Sequence, residues 1–230
     1  MNDSPPPSAP VSSRIWILFA LLAVAALAGS WFLTQSLQKL PGGQLATLPI
    51  LREVRQPFSA PERLGETRQF LDLKGKVVVA AYAYTRCPHG CAGVAAQMKK
   101  LNDAFADQTD RLHFVSIAVW PAIDTPEVFK AYATSLEIPD SAPWWWLSTD
   151  RDKTWAFMTD QLGFGPSREV PEAERLNPED WVEHDLRAVL LDSNLRVRGY
   201  YEVMHPQTEV AQMAYEKLQR DITTLLNESE

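Results

Sequence analysis

The sequence predicts an α/β domain, a mixed central sheet with flanking helices, carried behind a single N-terminal transmembrane helix. Three features predict it. Residues 15–33 form a run without a charge. Beyond residue 48, strand-length apolar runs alternate with segments of helical spacing. The two cysteines of the 230-residue chain sit together where one such strand gives way to a helix.

The apolar run IWILFALLAVAALAGSWFL extends from Ile15 to Leu33. At 1.5 Å per residue a helix of this length just spans a hydrocarbon core of about 30 Å. Trp16 and Trp31 stand near its ends, where amphipathic rings sit at a membrane interface. A cleavable signal peptide would end at Ala26-Leu27-Ala28. The run continues through Trp31, Phe32 and Leu33, which favours an uncleaved anchor. Arg14 precedes the span while Lys39, Arg52 and Arg55 follow it, so flanking charge fixes no orientation. The domain scheme is a Pro/Ser-rich disordered tail (1–14), the anchor (15–33), a linker around Pro41-Gly42-Gly43 (34–48) and a folded domain (49–230).

Within that domain Val77–Tyr84 (VVVAAYAY) reads as a strand buried on both faces. Ala92–Ala106 has helical spacing, with Val94, Met98, Leu101 and Phe105 on one stripe. Leu112–Val119 is a second apolar strand. Thr125 and Pro126 are the N-cap and first residue of a helix ending near Leu136. Trp144–Leu147 follows as a strand, Lys153–Leu162 as a helix, and Arg187–Leu191 with Leu195–Val203 as strands paired about Asp192-Ser193-Asn194. An amphipathic helix over 206–226 closes the chain. This order implies a mostly parallel sheet covered on both sides.

Composition narrows the function. A net charge of −7 argues against a nucleic-acid surface, which needs clustered Lys and Arg. Two cysteines in one short segment neither staple a scaffold nor brace a long loop. In Cys87-Pro88-His89-Gly90-Cys91 they lie at the start of a helix, where four-residue spacing puts both on one face. That separation allows a disulfide or a shared metal ion, and the helix N-terminus favours thiolate. Two sulfurs do not choose a metal by themselves. Soft donors favour Cu(I), with Zn(II) competing, but structural zinc wants four ligands and no second cysteine pair exists. Four histidines could supply an imidazole. His113 lies inside a strand and reads as a core or edge residue. His205 opens the last helix beside Pro206. His89 sits within the motif. His184, in Trp181-Val182-Glu183-His184-Asp185, stands at the mouth of a strand, where an exposed loop histidine explains it equally well.

At these residues the chain resembles the SCO/SenC family, thioredoxin-fold copper chaperones of cytochrome c oxidase assembly. The resemblance rests on Tyr84-Thr85-Arg86-Cys87-Pro88-His89-Gly90-Cys91, on Asp124-Thr125-Pro126-Glu127 with Lys130-Ala131-Tyr132, and on Val182-Glu183-His184 followed by Ala188-Val189-Leu190-Leu191-Asp192. It covers roughly residues 64–202 and implies a thioredoxin-like fold. It also implies copper held by Cys87, Cys91 and His184, with the two cysteines redox-active. The implied partners are a cytochrome oxidase subunit or another copper chaperone, and the implied location is the inner membrane with the soluble domain facing the periplasm. Three positions depart from the family pattern: His89 replaces the usual Asp, Ala92 the usual Pro, and Trp120-Pro121 the usual Asp-Pro.

Two other classes are open. A thiol–disulfide oxidoreductase without a physiological metal would usually carry a two-residue spacer between its cysteines, and no proline stands where thioredoxins place theirs opposite the pair; Leu186 falls nearest. A peroxidase fits less well, because Thr85 stands two residues before Cys87 rather than three. A binding module whose cysteines only staple a loop would leave His184 without a role.

Overall fold

The computed structural model describes residues 22–31, 47–175 and 177–228. The chain falls into two units, residues 1–47 and residues 48–230. In the first unit residues 22–31 are helical. Of the expected span over 15–33, residues 15–21 and 32–33 lie outside the described residues, as do the whole expected tail and nearly all of the expected linker. Among the described residues no helix is long and apolar enough to cross a membrane.

The second unit is built on a six-stranded sheet. Its strands are β1 (Arg52–Glu53), β4 (Val77–Ala83), β5 (Leu112–Ala118), β6 (Trp144–Leu147), β9 (Ala188–Leu191) and β10 (Arg196–Tyr201), in the order β1-β10-β9-β4-β5-β6. Two small hairpins accompany it, β2 (Ser59–Pro61) with β3 (Thr67–Gln69) and β7 (Arg168–Glu169) with β8 (Val182–Glu183). Only β4–β5 and β5–β6 are parallel. The pairs β4–β9, β9–β10 and β10–β1 are antiparallel, so the sheet is mixed rather than mostly parallel. The tight turn at residues 192–195 and the return of β9 along β4 account for the difference.

Strand β4 shows why the run VVVAAYA carries no polar alternation. Val77, Val79, Ala81 and Ala83 face one apolar cluster, with helices α1 (Cys91–Ala104), α2 (Pro126–Ser135) and α4 (Thr208–Glu228). Val78, Ala80 and Tyr82 face the opposite cluster, with Phe58, Phe70, Phe157, Met158 and Leu162. A strand covered on both faces must be apolar at every position. Helix α2 begins as its sequence demands, with the Thr125 hydroxyl accepting from the Val128 N–H and Pro126 in the first turn. The helix expected over 153–162 is present over 151–161, but its winding changes midway. Asp150 caps α3 (Arg151–Ala156), and the chain then widens into a π-turn over Phe157–Gln161 that turns Phe157, Met158 and Leu162 inward. The Trp triplet is structural: Trp144 and Trp146 are buried and stacked at 5.1 Å, and Trp144 donates to the Ser116 hydroxyl. The buried Arg198 guanidinium donates to Asp192 and to the Leu48 carbonyl, which pins the start of the domain to the sheet.

His113 is buried in β5, 4.7 Å from the Trp145 ring, and its Nε2 has no hydrogen-bond partner. Burial, reinforced by the charges of Lys76 and Arg68, pushes its pKa down to about 3. An unfolded histidine titrates near 6.5, so the unfolded chain takes up this proton first. The stability this group contributes is complete above about pH 6.5 and is lost as pH falls toward about 3, at up to about 1.4 kcal/mol per unit. His113→Phe should therefore flatten the decline in urea midpoint between about pH 7 and 5; an unchanged slope would refute the assignment.

Candidate metal centre

The site forms where β4 ends. Thr85 turns the chain, its N–H and hydroxyl both donating to the fully buried Asp124 carboxylate, the hydroxyl at 2.5 Å. The Cys87 N–H closes this turn on the Tyr84 carbonyl at 3.2 Å. Gly90, the residue before α1, has φ of +150°, a conformation that disfavours any side chain, and a Cβ there would also press on Met204 at 3.1 Å. Cys91 then opens α1. Cys87 is half-buried at the mouth and Cys91 is buried beneath it.

His184 arrives on the segment leading into β9, the strand next to β4. The β4–β9 register pairs Ala80 with Val189 and Val78 with Leu191. Continued past the paired residues, it sets 184–186 alongside 83–85. The His184 Nε2 lies 3.1 Å from the Cys91 sulfur. Its Nδ1 lies 2.9 Å from the Asp185 carbonyl, which can only accept, so the proton is on Nδ1 and the Nε2 lone pair faces the sulfurs. The ring packs edge-on against Tyr82 at 5.5 Å. The Asp185 side chain fixes the loop by accepting from the Gly165 and Arg187 N–H groups and from the Arg187 guanidinium. One donor atom each from Cys87, Cys91 and His184 lies within 4.8 Å of the others.

The two thiols are driven apart. A hydrogen bond from Cys91 holds the Cys87 pKa far below the ordinary thiol value, against the opposing effect of burial, with further help from the His89 N–H. Donating that bond, and being buried, pushes the Cys91 thiol up. The metal-free pair is thus a thiolate at the mouth and a thiol below. Burial likewise raises Asp124 to about 6, with Thr85 pulling it back. Soft sulfur and imidazole donors in a three-member set suit copper, whereas structural zinc would want a fourth.

The structure does not gather the other histidines into this group. His89 turns its Nε2 to Asp180 at 2.8 Å. His113 lies within β5, and His205 accepts from the Gln207 N–H. A cleft of about 430 Å³ opens over the site, lined by Cys87, His89, His184 and Leu186 with Asp180 and the β7–β8 hairpin. Leu186 does lie beside the pair, and the described chain has no cis peptide. The hairpin, Asp180 and Asp185 were not identified from the sequence. Residues 165–185 carry too little periodicity to announce two-residue strands.

A cysteine pair at a strand-to-helix turn, met by a histidine that leads into the neighbouring antiparallel strand, defines a thioredoxin-like protein able to hold a soft metal or exchange disulfides. Comparison with known proteins gives the family. The SCO1/SenC family model matches residues 50–219, and the chain belongs to that family. A SCO1 protein homolog of Bacillus subtilis (strain 168) is 29% identical over 94 residues, 41% of this chain. That match spans about half (48%) of the relative's own length. The solved structure of a SCO1/SenC family lipoprotein from Bacillus anthracis str. Ames superposes with a TM-score of 0.62 at 26% identity, covering 76% of this chain and 96% of that one. Bradyrhizobium japonicum ScoI, solved with copper bound, shares the fold with a TM-score of 0.55 at 22% identity, covering 71% and 98%.

At about pH 6 iodoacetamide should modify the reduced, metal-free protein once, at Cys87. In Cys91→Ala that reaction should slow at the same pH and recover only toward the ordinary thiol range near 8.5, because the donor that holds the thiolate is gone. Equal labelling of both sulfurs in the parent protein, read by mass spectrometry, would contradict the assignment.

Proposed function

We propose that the chain is a membrane-anchored copper chaperone. In this reading Cys87, Cys91 and His184 hold copper and deliver it to the copper site of a respiratory oxidase, reduce the cysteines of that site, or do both. The observation that carries it is the convergence of two sulfurs and one ring nitrogen within 4.8 Å from segments 93 residues apart. The copper-bound relative of the same fold supports the choice of metal. The uncharged run over 15–33 anchors the protein in the inner membrane, residues 34–48 tether it, and the 49–230 domain faces the periplasm. The description of a structural neighbour as a lipoprotein accords with an extracytoplasmic domain. The acceptor is an oxidase subunit or a second copper chaperone.

Three donors leave the metal position open to an incoming ligand. An acceptor sulfur can enter at the exposed Cys87 side, after which the chain's donors let go one at a time. The same residues can act by thiol exchange. The Cys87 thiolate attacks an acceptor disulfide, forming a mixed disulfide and releasing one acceptor thiolate. Cys91 then gives up its proton and displaces the second, so the acceptor gains two electrons and the chain is left with a Cys87–Cys91 disulfide. An extracytoplasmic oxidoreductase without a physiological metal would use only this second route.

Anaerobic Cu(I) titration of the reduced protein should give one tight equivalent, lost in Cys87→Ser and Cys91→Ser and weakened by more than about tenfold in His184→Ala. Copper affinity indifferent to His184, beside full disulfide-exchange turnover, would favour the metal-free oxidoreductase.

A further inference from the structure

The segment that brings His184 to the cysteines has little secondary structure of its own, since β8 is two residues long. Besides the contacts of the His184 ring with Cys91 and Tyr82, the cysteine side reaches the segment at residues 179–180. The Tyr84 hydroxyl donates to the Glu179 carbonyl at 2.9 Å, Arg86 pairs with the Glu179 carboxylate at 3.6 Å, and His89 Nε2 meets Asp180 Oδ1 at 2.8 Å. They differ in strength. The Arg86–Glu179 pair is exposed on both sides and long, the kind of ion pair that contributes little. Asp180 is 8% exposed at its side chain, so its bond to His89 forms where the local dielectric is low and counts for more. His89 also reaches the other side of the site, because its N–H donates to the Cys87 sulfur at 3.4 Å. One residue therefore touches the outer sulfur with its backbone and the His184 segment with its ring.

We propose that His89 and Asp180 form a latch that holds the His184 segment against the cysteine pair, making His89 a positioning residue for copper retention rather than a fourth donor. The inference rests on the copper-site reading above, but its mechanical part does not. With the latch broken, residues 179–185 open more often, and the imidazole leaves the copper position more readily while the donor set stays the same. Removing a partner that orients a ligand commonly costs about 10–100-fold in metal affinity.

The test uses the full-length reduced protein with His89→Ala, Asp180→Ala and His89→Gln. Cu(I) loading should still reach one equivalent in all three, and the sulfur-to-copper charge-transfer band of the Cu(II) form should keep the parent's position. Transfer of Cu(I) to bicinchoninate should quicken by about tenfold in His89→Ala and Asp180→Ala. His89→Gln, which keeps a donor at similar reach, should stay near the parent. In the metal-free protein, amide hydrogen exchange over 179–185 should rise in His89→Ala and Asp180→Ala and not in His89→Gln. Loss of the equivalent, or a moved band, in His89→Ala would make His89 a ligand and overturn the proposal. Parent-like transfer and exchange in His89→Ala and Asp180→Ala would overturn it as well. Should the parent take up no copper, the copper reading fails and hydrogen exchange alone decides the latch.

Discussion

The antiparallel pairing of β4 with β9 is the constraint on which the site depends. The cysteines follow one end of β4, and the histidine precedes the matching end of β9, so a fixed register brings together residues far apart in sequence. That register cannot drift. Both faces of β4 and β9 are buried, in clusters of different shape, and a slip by one residue would exchange every side chain between them. The energy of the whole core therefore stands behind one sulfur–nitrogen distance. The 177–185 segment is held more lightly, by the buried Val182, the packing of Trp181 against Trp120, the short pairing with β7 and polar contacts at its edges. The site thus joins a rigid half, the strand end and helix start bearing the sulfurs, to a softer half bearing the nitrogen.

Hydrogen bonding, burial and charge together set the order within the rigid half. Cys91 keeps its proton chiefly because it donates to Cys87 and is buried, and the negative charges of Cys87 and Asp124 add to the cost of ionising it. The thiolate therefore forms at Cys87, nearer water, while the Thr85 donors and the Arg86 charge offset the buried Asp124 carboxylate. In the copper-site reading a monovalent cation would take the place of the proton between the two sulfurs. The metal-free arrangement, a thiol donating to a thiolate with the imidazole Nε2 3.1 Å from the buried sulfur, matches the outline of such a three-donor site. The proton of Cys91 stands where positive charge is wanted.

Much of this was legible in the chain itself, for identifiable reasons. Val77–Tyr84 and Leu112–Val119 announce themselves because strands covered on both faces leave no polar interruption, and Thr125-Pro126 marks a helix start because capping is local chemistry. The cysteine motif was readable as a reactive pair from its place between such a strand and a helix. His184 was not readable from its own surroundings. Its neighbours Glu183 and Asp185 suggest a solvated loop, and only the resemblance to the family singled it out; the reason for its importance is register, which belongs to β9 rather than to residue 184. His89 was open to reading as a donor because it sits between the cysteines, but Asp180 lies 91 residues away and nothing in the sequence links them. The small hairpins and the π-turn at 157–161 escaped for the same reason: two-residue strands and a single widened turn follow from tertiary packing, not local pattern.

The departure at residue 89 bears on what kind of family member this is. A protein that carries copper must bind it tightly enough to keep it and loosely enough to pass it on, and three donors with one side open already lean toward release. In this chain the residue between the cysteines engages the nitrogen-bearing segment through a buried carboxylate, so under the proposed latch retention would depend on a contact outside the donor set. Such an arrangement separates affinity from ligand identity: the same two sulfurs and imidazole can hold copper longer or shorter according to how often the segment lifts. An acceptor that docked over the cleft would meet the 46%-exposed His89 side chain close to the metal position. Competing for that ring would loosen the soft half of the site at the moment a receiving ligand is present. Release would then be coupled to recognition through a single imidazole–carboxylate bond.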